Sequence, residues 1–572
     1  MRRRRCHGLA AILLLFLACA TACERRTREA SPPARPKDRL TTALLSDPKT
    51  FNPILVTDAT SGEILEPIFD GLVRIDPKST LPEPSLAASW TVSEEGRTWT
   101  FDLRRDVRWH DGHPFTARDV AFTMRAIFDE TVPNSSRYSL TVGGVAPEVR
   151  ILDDFRVEFR MPHAFAPFLY AIAVPILPAH LLEKSLDEGR FTREWGIDTP
   201  PEKLVGTGPW KMTRYESSQV IEFTRNDDYW RRDADGRSLP YLPRRTMLIV
   251  KELNTAALKF RAGHTHYYEA RPGEVAHLED DAETLGIQVR NLGVETSNQF
   301  VVFNRNPRHW AKVGENGQPD PRLRWFTDPA FLRALAHTVD KRGMVDTIYF
   351  GLGQPSVSEI SPANHVFHNP RLRDYEYDPE KARRMLEEAG YRDRDGDGIR
   401  EDSDGHPVRF GLTTNAGNTL RERLSSILLQ DWRALGLDVH YRPQTFQALV
   451  ERLNVTHEFD AVLIGFTAGI EPNNGANFLR SSGNLHIWNP AQEKPATAWE
   501  AEIDQLLDAG AAALELEKRQ AAYFRIQEIL HEQLPFIGTV RQQVVWAWSD
   551  DLENFHPLVW GLWHPSQIDI AP

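Results

Sequence analysis

The sequence predicts an α/β protein of two or three domains, and three observations carry that expectation. Thr98-Trp99-Thr100-Phe101-Asp102-Leu103-Arg104 alternates as a half-buried strand does, with Trp99, Phe101 and Leu103 on one face. A helical pattern with Leu424, Ile427, Leu428, Trp432 and Leu435 on one face ends at Gly436 and passes directly into the alternating Leu437-Asp438-Val439-His440-Tyr441, the helix-to-strand succession of α/β lobes. The chain has 572 residues, 41% of them hydrophobic, enough to fill a large core divided among domains.

From the N-terminus, Arg2, Arg3, Arg4 and Arg5 precede the apolar run from Leu9 to Ala20, the pattern of an export signal. The run is shorter than the roughly 18 residues a spanning helix needs. Small residues (Ala18, Ala20, Thr21, Ala22) follow it just before Cys23, and the other cysteines, Cys6 and Cys19, lie in the same segment. Cleavage before Cys23 leaves a mature body with no disulfide; cleavage before Cys19 is the alternative. Ala20-Thr21-Ala22-Cys23 resembles the bacterial lipobox, with Ala20 where leucine is usual, and the resemblance implies lipid on Cys23. Residues 1–22 are therefore expected to be a lipoprotein signal peptide. Residues 23–38, with the charged, Pro-rich Arg25–Lys37, are expected to be a flexible tether. Removing the four arginines and no acidic residue takes the formal charge from −12 to −16, which argues against nucleic acid as a partner.

Asp111-Gly112 marks a turn after the first strand. Thr116 and Asp119 form a capping pair for a helix carrying Val120, Met124, Ile127 and Phe128. Asp378 and Pro379 start another helix, with Ala382, Met385, Leu386 and Ala389 as its apolar stripe and Gly390 as its stop. Leu516, Tyr523, Ile526 and Leu530 describe a long amphipathic helix before Pro535, and no repeat of 20–50 residues is present.

Several blocks resemble the family 5 extracellular solute-binding proteins of ABC importers, over about Leu40 to Pro557. They are Asp47-Pro48-Lys49-Thr50-Phe51-Asn52-Pro53, Ile68-Phe69-Asp70-Gly71-Leu72 and Leu86-Ala87-Ala88-Ser89-Trp90, followed by the diagnostic Val107-Arg108-Trp109-His110-Asp111-Gly112-His113-Pro114-Phe115-Thr116. Gly206-Thr207-Gly208-Pro209-Trp210, Arg225-Asn226-Asp227-Asp228-Tyr229-Trp230 and Tyr377-Asp378-Pro379-Glu380-Lys381-Ala382 continue the match. Read physically, these blocks are scaffold: the glycines permit a turn and close backbone approach, and Trp90, Trp109 and Trp230 are expected in the core.

The resemblance implies the two-lobed periplasmic binding protein fold (class II, cluster C type) with an extra domain inserted in the first lobe. The implied division is 39–80, 205–290 and 540–572 for lobe I, 81–204 for the inserted domain and 291–539 for lobe II. It further implies a non-enzymatic receptor, periplasmic or at the cell surface, that captures di- or oligopeptides between the lobes and delivers them as a monomer to permease subunits in the cytoplasmic membrane. A non-peptide solute (oligosaccharide, metal chelate, opine) is the alternative, ahead of a secreted hydrolase or peptide chaperone. Implied ligand contacts are Asp58, Thr60 and Ser61 in the first lobe and Asn304, Phe466, Thr467, Glu471, Asn473, His486 and Trp488 in the second. Peptide-binding relatives usually carry an aspartate near the last stretch to meet the ligand's α-amino group. Here it is missing, so Glu471 or Asp58 is expected to substitute, or the ligand lacks a free amine.

Two features point elsewhere and are read blandly. Asp393, Asp395 and Asp397 alternate with glycine at the sixth position as a calcium loop requires, but Asp404 stands at position 12 and Arg400 at position 8, so an ordinary acidic hairpin is expected, with calcium the alternative. His264 and His266, without a third ligand at recognisable spacing, read as a surface pair rather than a metal site. No cofactor is expected, and the Gly-x-Ser-x-Gly, His-Glu-x-x-His and Gly-x-x-x-x-Gly-Lys patterns do not occur.

Overall fold

The computed structural model describes residues 34–93, 95–313 and 320–571; the expected signal segment, Cys23 and most of the tether lie outside them. The first lobe is built on a sheet ordered Leu40–Leu44, Arg244–Ile249, Val220–Arg225, Trp210–Glu216, in which only the first pair is parallel. An antiparallel sheet of Tyr267–Ala270, Val540–Ser549 and Ile287–Val294 stands beside it. The inserted domain holds the sheet Ala87–Val92, Thr98–Leu103, Arg156–Arg160, Glu148–Asp153. In Thr98–Leu103 the residues Trp99, Phe101 and Leu103 are buried and their neighbours half-buried, as the alternation requires. The helix Ala117–Phe128 packs beside this sheet, its entry fixed where the Thr116 N–H donates to the Asp119 carboxylate at 2.9 Å.

Lobe II has a five-stranded mixed sheet ordered Asp438–Gln444, Arg409–Asn415, Ala461–Thr467, Ser297–Phe303, Phe536–Gly538. Its strand Ser297–Phe303 is covered on both faces. Val301 and Phe303 join a cluster with Leu424, Leu428 and Trp432, whereas Phe300 and Val302 join another with Tyr523, Ile526 and Leu530. The helices Pro379–Glu388, Thr419–Ala434 and Leu516–Gln533 lie where the apolar spacing predicts, although Ala389 and Leu516, expected on buried stripes, are exposed.

Two expectations need correction. The end of the expected tether is docked: Arg35 is buried and donates to the carbonyls of Phe260 and Leu285, at helix ends, and of Thr265 in a loop. His266 is not on the surface. It is fully buried, its Nδ1 accepts from the Thr41 N–H at 2.9 Å, and its Nε2 meets the Pro36 carbonyl at 2.9 Å, leaving no lone pair for a metal.

Two chain crossings join the lobes. Ile287–Val294 lies in a first-lobe sheet and Ser297–Phe303 in the second lobe; Phe536–Gly538 lies in the second lobe, and Val540–Ser549 runs back into the first. Arg541 is buried at this double crossing. Its guanidinium donates to the carbonyls of Thr296 (3.0 Å), Ser297 (2.6 Å), Ser358 (2.7 Å) and Glu359 (2.9 Å). Beside it the Glu359 Oε1 is sealed from solvent without a hydrogen-bond partner, and burial pushes this carboxyl up to about 7.

That shift gives a pH signature. The native chain holds a proton on Glu359 that the unfolded chain loses near the ordinary glutamate value of 4.5, so this group's contribution to stability is full below that pH and lost as pH rises through 7. Glu359→Gln is expected to raise stability at pH 8 by on the order of 3 kcal/mol, the gain shrinking toward pH 4.5. Urea denaturation of both proteins across that range checks it; a pH-independent difference refutes it.

Candidate functional site

A cavity of about 860 Å³ opens on the first lobe beside the crossings. Asp58 caps the helix Ala59–Leu65, and this helix presents Thr60 and Glu63, one turn apart, to the cavity; Glu66 follows another turn on. Strand Tyr267–Ala270 contributes Tyr267 and Glu269, which alternate onto one face. Glu269 stands directly opposite Trp546, and Tyr267 stacks on Trp546 with ring centroids 5.2 Å apart and planes within 11°. Gln542 and Trp560 complete the hinge side. Trp560 also donates its indole N–H to the Ala363 carbonyl of lobe II at 3.0 Å, joining the cavity wall to the other lobe.

Charge in this cavity is unevenly matched. Arg245, almost fully buried, reaches Glu66 at 3.5 Å, and Arg271 is held by Glu274 and Asn254. Glu63 and Glu269 have no ion-pair partner among the described residues. Burial pushes both carboxyls above the usual range; Arg245 opposes this at Glu63 from beyond contact distance, and the Trp546 indole opposes it at Glu269. Burial also pushes the Tyr267 phenol up to about 12, so it faces the cavity as a neutral donor.

Among the residues singled out from the sequence, Thr60 lines this cavity, where its hydroxyl accepts from Ser46 at 2.9 Å. The others are placed elsewhere and mostly spent on the scaffold. Asp58 accepts from the Ser61 N–H (2.9 Å) and hydroxyl (2.8 Å), and the buried Ser61 accepts from the Lys49 N–H at 2.9 Å. Asn304 is buried, donating to the carbonyls of His457 and Phe459 at 2.9 Å each. Phe466 packs edge-on against Phe300 and Phe478, and Thr467 lies exposed 3.2 Å from Ser297. His486 and Trp488 are buried and both meet the Glu500 carboxylate, at 3.3 and 3.2 Å. Burial opposes ionisation of Glu500, yet the hydrogen bonds from His486, Trp488 and Thr497 hold its carboxyl down to about 2.

Glu471, expected to meet a ligand amine, lies inside lobe II. Its carboxylate is buried, pairs with Arg519 at 2.6 Å and accepts from the Asn473 N–H at 3.0 Å; the counter-charge supplied to it is internal. The sequence could not reveal a partner 48 positions away. Conversely, Glu63, Glu269, Tyr267, Trp546 and Trp560 were missed. The one signal was the alternation of Trp546 and Trp548, which places two indoles on one strand face.

In the acidic loop, ligand atoms of Asp393, Asp395, Asp397 and Glu401 lie within 4.8 Å of one another. Asp404 is not in that group and pairs with Arg324 at 2.5 Å. The loop carboxylates accept backbone N–H groups of Gly396, Gly398, Asp397, Ile399 and Arg394, the pattern of a hydrogen-bonded hairpin.

The model of "Bacterial extracellular solute-binding proteins, family 5 Middle" matches residues 82–486. A "Probable ABC transporter-binding protein" of Deinococcus radiodurans is 26% identical, over 89% of this chain and 88% of that one. The "Oligopeptide-binding protein AppA" of Bacillus subtilis is 25% identical over 97% of each chain. The structure of that AppA in complex with a nonapeptide aligns over 94% of this chain and all of its own, with a TM-score of 0.68 at 23% identity. Among the described residues no helix is long and apolar enough to cross a membrane.

Because Glu471 and Arg519 are buried together, Arg519→Met is expected to destabilise the protein by about 3–5 kcal/mol through an uncompensated carboxylate. Chemical denaturation measures it. A loss below about 1 kcal/mol shows that the pair is not structural.

Proposed function

The chain belongs to the bacterial extracellular solute-binding proteins of family 5, and from that premise we propose that it is the receptor of an ABC importer that captures peptides and hands them intact to a permease. The observation that carries this reading is the cavity of about 860 Å³ set beside the double crossing. Its volume is in the upper part of the range for small-ligand sites, and its walls mix aromatic faces with a few charged groups. A cavity bordered by a hinge suits capture and release, since a ligand that touches both lobes stabilises one arrangement over the other. The oligopeptide-binding Bacillus subtilis relative, which matches the chain almost end to end, supports a peptide as the solute. Binding without chemical change is part of the proposal.

The basic flank, apolar run and Cys23 support export followed by lipid anchoring, with the folded body working outside the cytoplasmic membrane as a monomer. Cys23→Ser is expected to shift the protein from the membrane fraction to the soluble fraction after export, with loss of the lipid mass on its N-terminal peptide. Unchanged partitioning excludes Cys23 as the anchor.

A thermal-shift screen of short peptides, sugars and metal chelates tests the receptor reading. A binding peptide at about 100 times its dissociation constant is expected to stabilise the protein by about 2.7 kcal/mol and to be recovered unaltered by mass spectrometry. Turnover of the bound solute, or no stabilising solute in the whole screen, overturns it.

A further inference from the structure

We infer that the first-lobe cavity selects an organic cation, an ammonium or guanidinium carried on a chain such as that of a basic peptide, and that Glu63 and Glu269 are its counter-charges, with the Tyr267–Trp546 stack as its aromatic wall. The inference rests on the receptor reading and adds the class of solute.

The case begins with charge matching. The cavity is lined by three carboxylates, Glu63, Glu66 and Glu269, and by Arg245 and Arg271. Both cations are already committed: Arg245 to Glu66 with its guanidinium 5.8 Å over the Trp210 ring, and Arg271 to Glu274. Glu63 and Glu269 therefore line a solvent-open cavity without an ion-pair partner of their own among the described residues, where an incoming cation would meet both. In lobe II two buried carboxylates are met inside the protein, by Arg519 at Glu471 and by His486 and Trp488 at Glu500. Glu63 and Glu269 differ from these two in lining a cavity that a solute can enter.

The geometry narrows the cation. The parallel rings of Tyr267 and Trp546 offer a negative π face beside Glu269, suited to a cation with an apolar stem. A bare metal ion fits less well, because these three glutamates do not bring ligand atoms within 4.8 Å of one another, whereas two other acidic groups among the described residues do. An anionic solute would meet unpaired carboxylates and find the buried Arg245 already engaged.

Calorimetry on the full mature protein tests this with trilysine, trialanine, triglutamate and trilysine acetylated on its side chains, at one ionic strength. Trilysine is expected to bind at least tenfold more tightly than each of the others. Glu63→Gln and Glu269→Gln are each expected to weaken trilysine about tenfold and trialanine by a much smaller factor, with their folding verified by thermal denaturation. The acetylated peptide asks the same question of the unmutated protein, so the test does not depend on either variant folding. Trialanine binding as tightly as trilysine, or trilysine affinity untouched in both variants, overturns the cation inference and leaves the receptor reading standing. If none of the four binds, the cation inference falls, and the broad solute screen separately decides the receptor reading.

Discussion

One buried guanidinium organises the molecule. Arg541 sits where two strands pass between the lobes and donates to four backbone carbonyls, two at the start of the strand Ser297–Phe303 and two in the loop at Ser358 and Glu359. These carbonyls lie at the join between the two lobes, where a buried acceptor left without a donor costs about 1–3 kcal/mol. Burial lowers this guanidinium to about 10, which keeps it charged at neutral pH and makes the bonds charge-assisted. The same strand goes on to place Gln542 and Trp546 in the cavity wall, so hinge and binding surface share one register.

The placing of buried charge separates scaffold from site. Glu471 with Arg519, and Glu500 with His486 and Trp488, are complete within lobe II, and removing one member strands the other in a medium that solvates it poorly. Lobe I balances Arg245 against Glu66 in the same way but leaves Glu63 and Glu269 open to the cavity. Carboxylates paired inside the protein are structural; those that line the cavity without an ion pair are available to a solute.

This division also explains how far the sequence could be read. Local patterns were legible because their partners are a few residues away: the alternation at Trp99, Phe101 and Leu103, the Thr116–Asp119 cap, and the Asp378 cap that accepts from the Lys381 N–H. Gly206 and Gly208 were legible as points of close approach, and a Cβ on Gly206 would fall 1.8 Å from the Ile68 carbonyl oxygen. Pairings across the chain were not legible. Nothing near Arg35 announces that it binds carbonyls at Phe260, Thr265 and Leu285, and nothing near His266 announces Pro36 and Thr41. The site suffered most, because Glu63, Glu269 and Trp546 meet only when three distant segments assemble. Glu471, by contrast, looked like a contact because its sequence neighbourhood is that of a loop.

The cavity walls belong to the first lobe, which poses the question of how a solute there could bear on the relation between lobes. Trp560 answers it structurally. Its indole lines the cavity while its N–H is donated to the Ala363 carbonyl of the second lobe, and the inserted domain meets lobe II separately, where the Ala166 N–H donates to the Ala511 carbonyl. Parting the lobes would release both bonds. A solute packed against the Trp560 ring holds the indole in the orientation that makes the first of them, and so interacts differently with the joined and parted arrangements. Only such a difference can shift the balance between them; affinity for the first lobe alone would fill the cavity and leave the hinge unmoved.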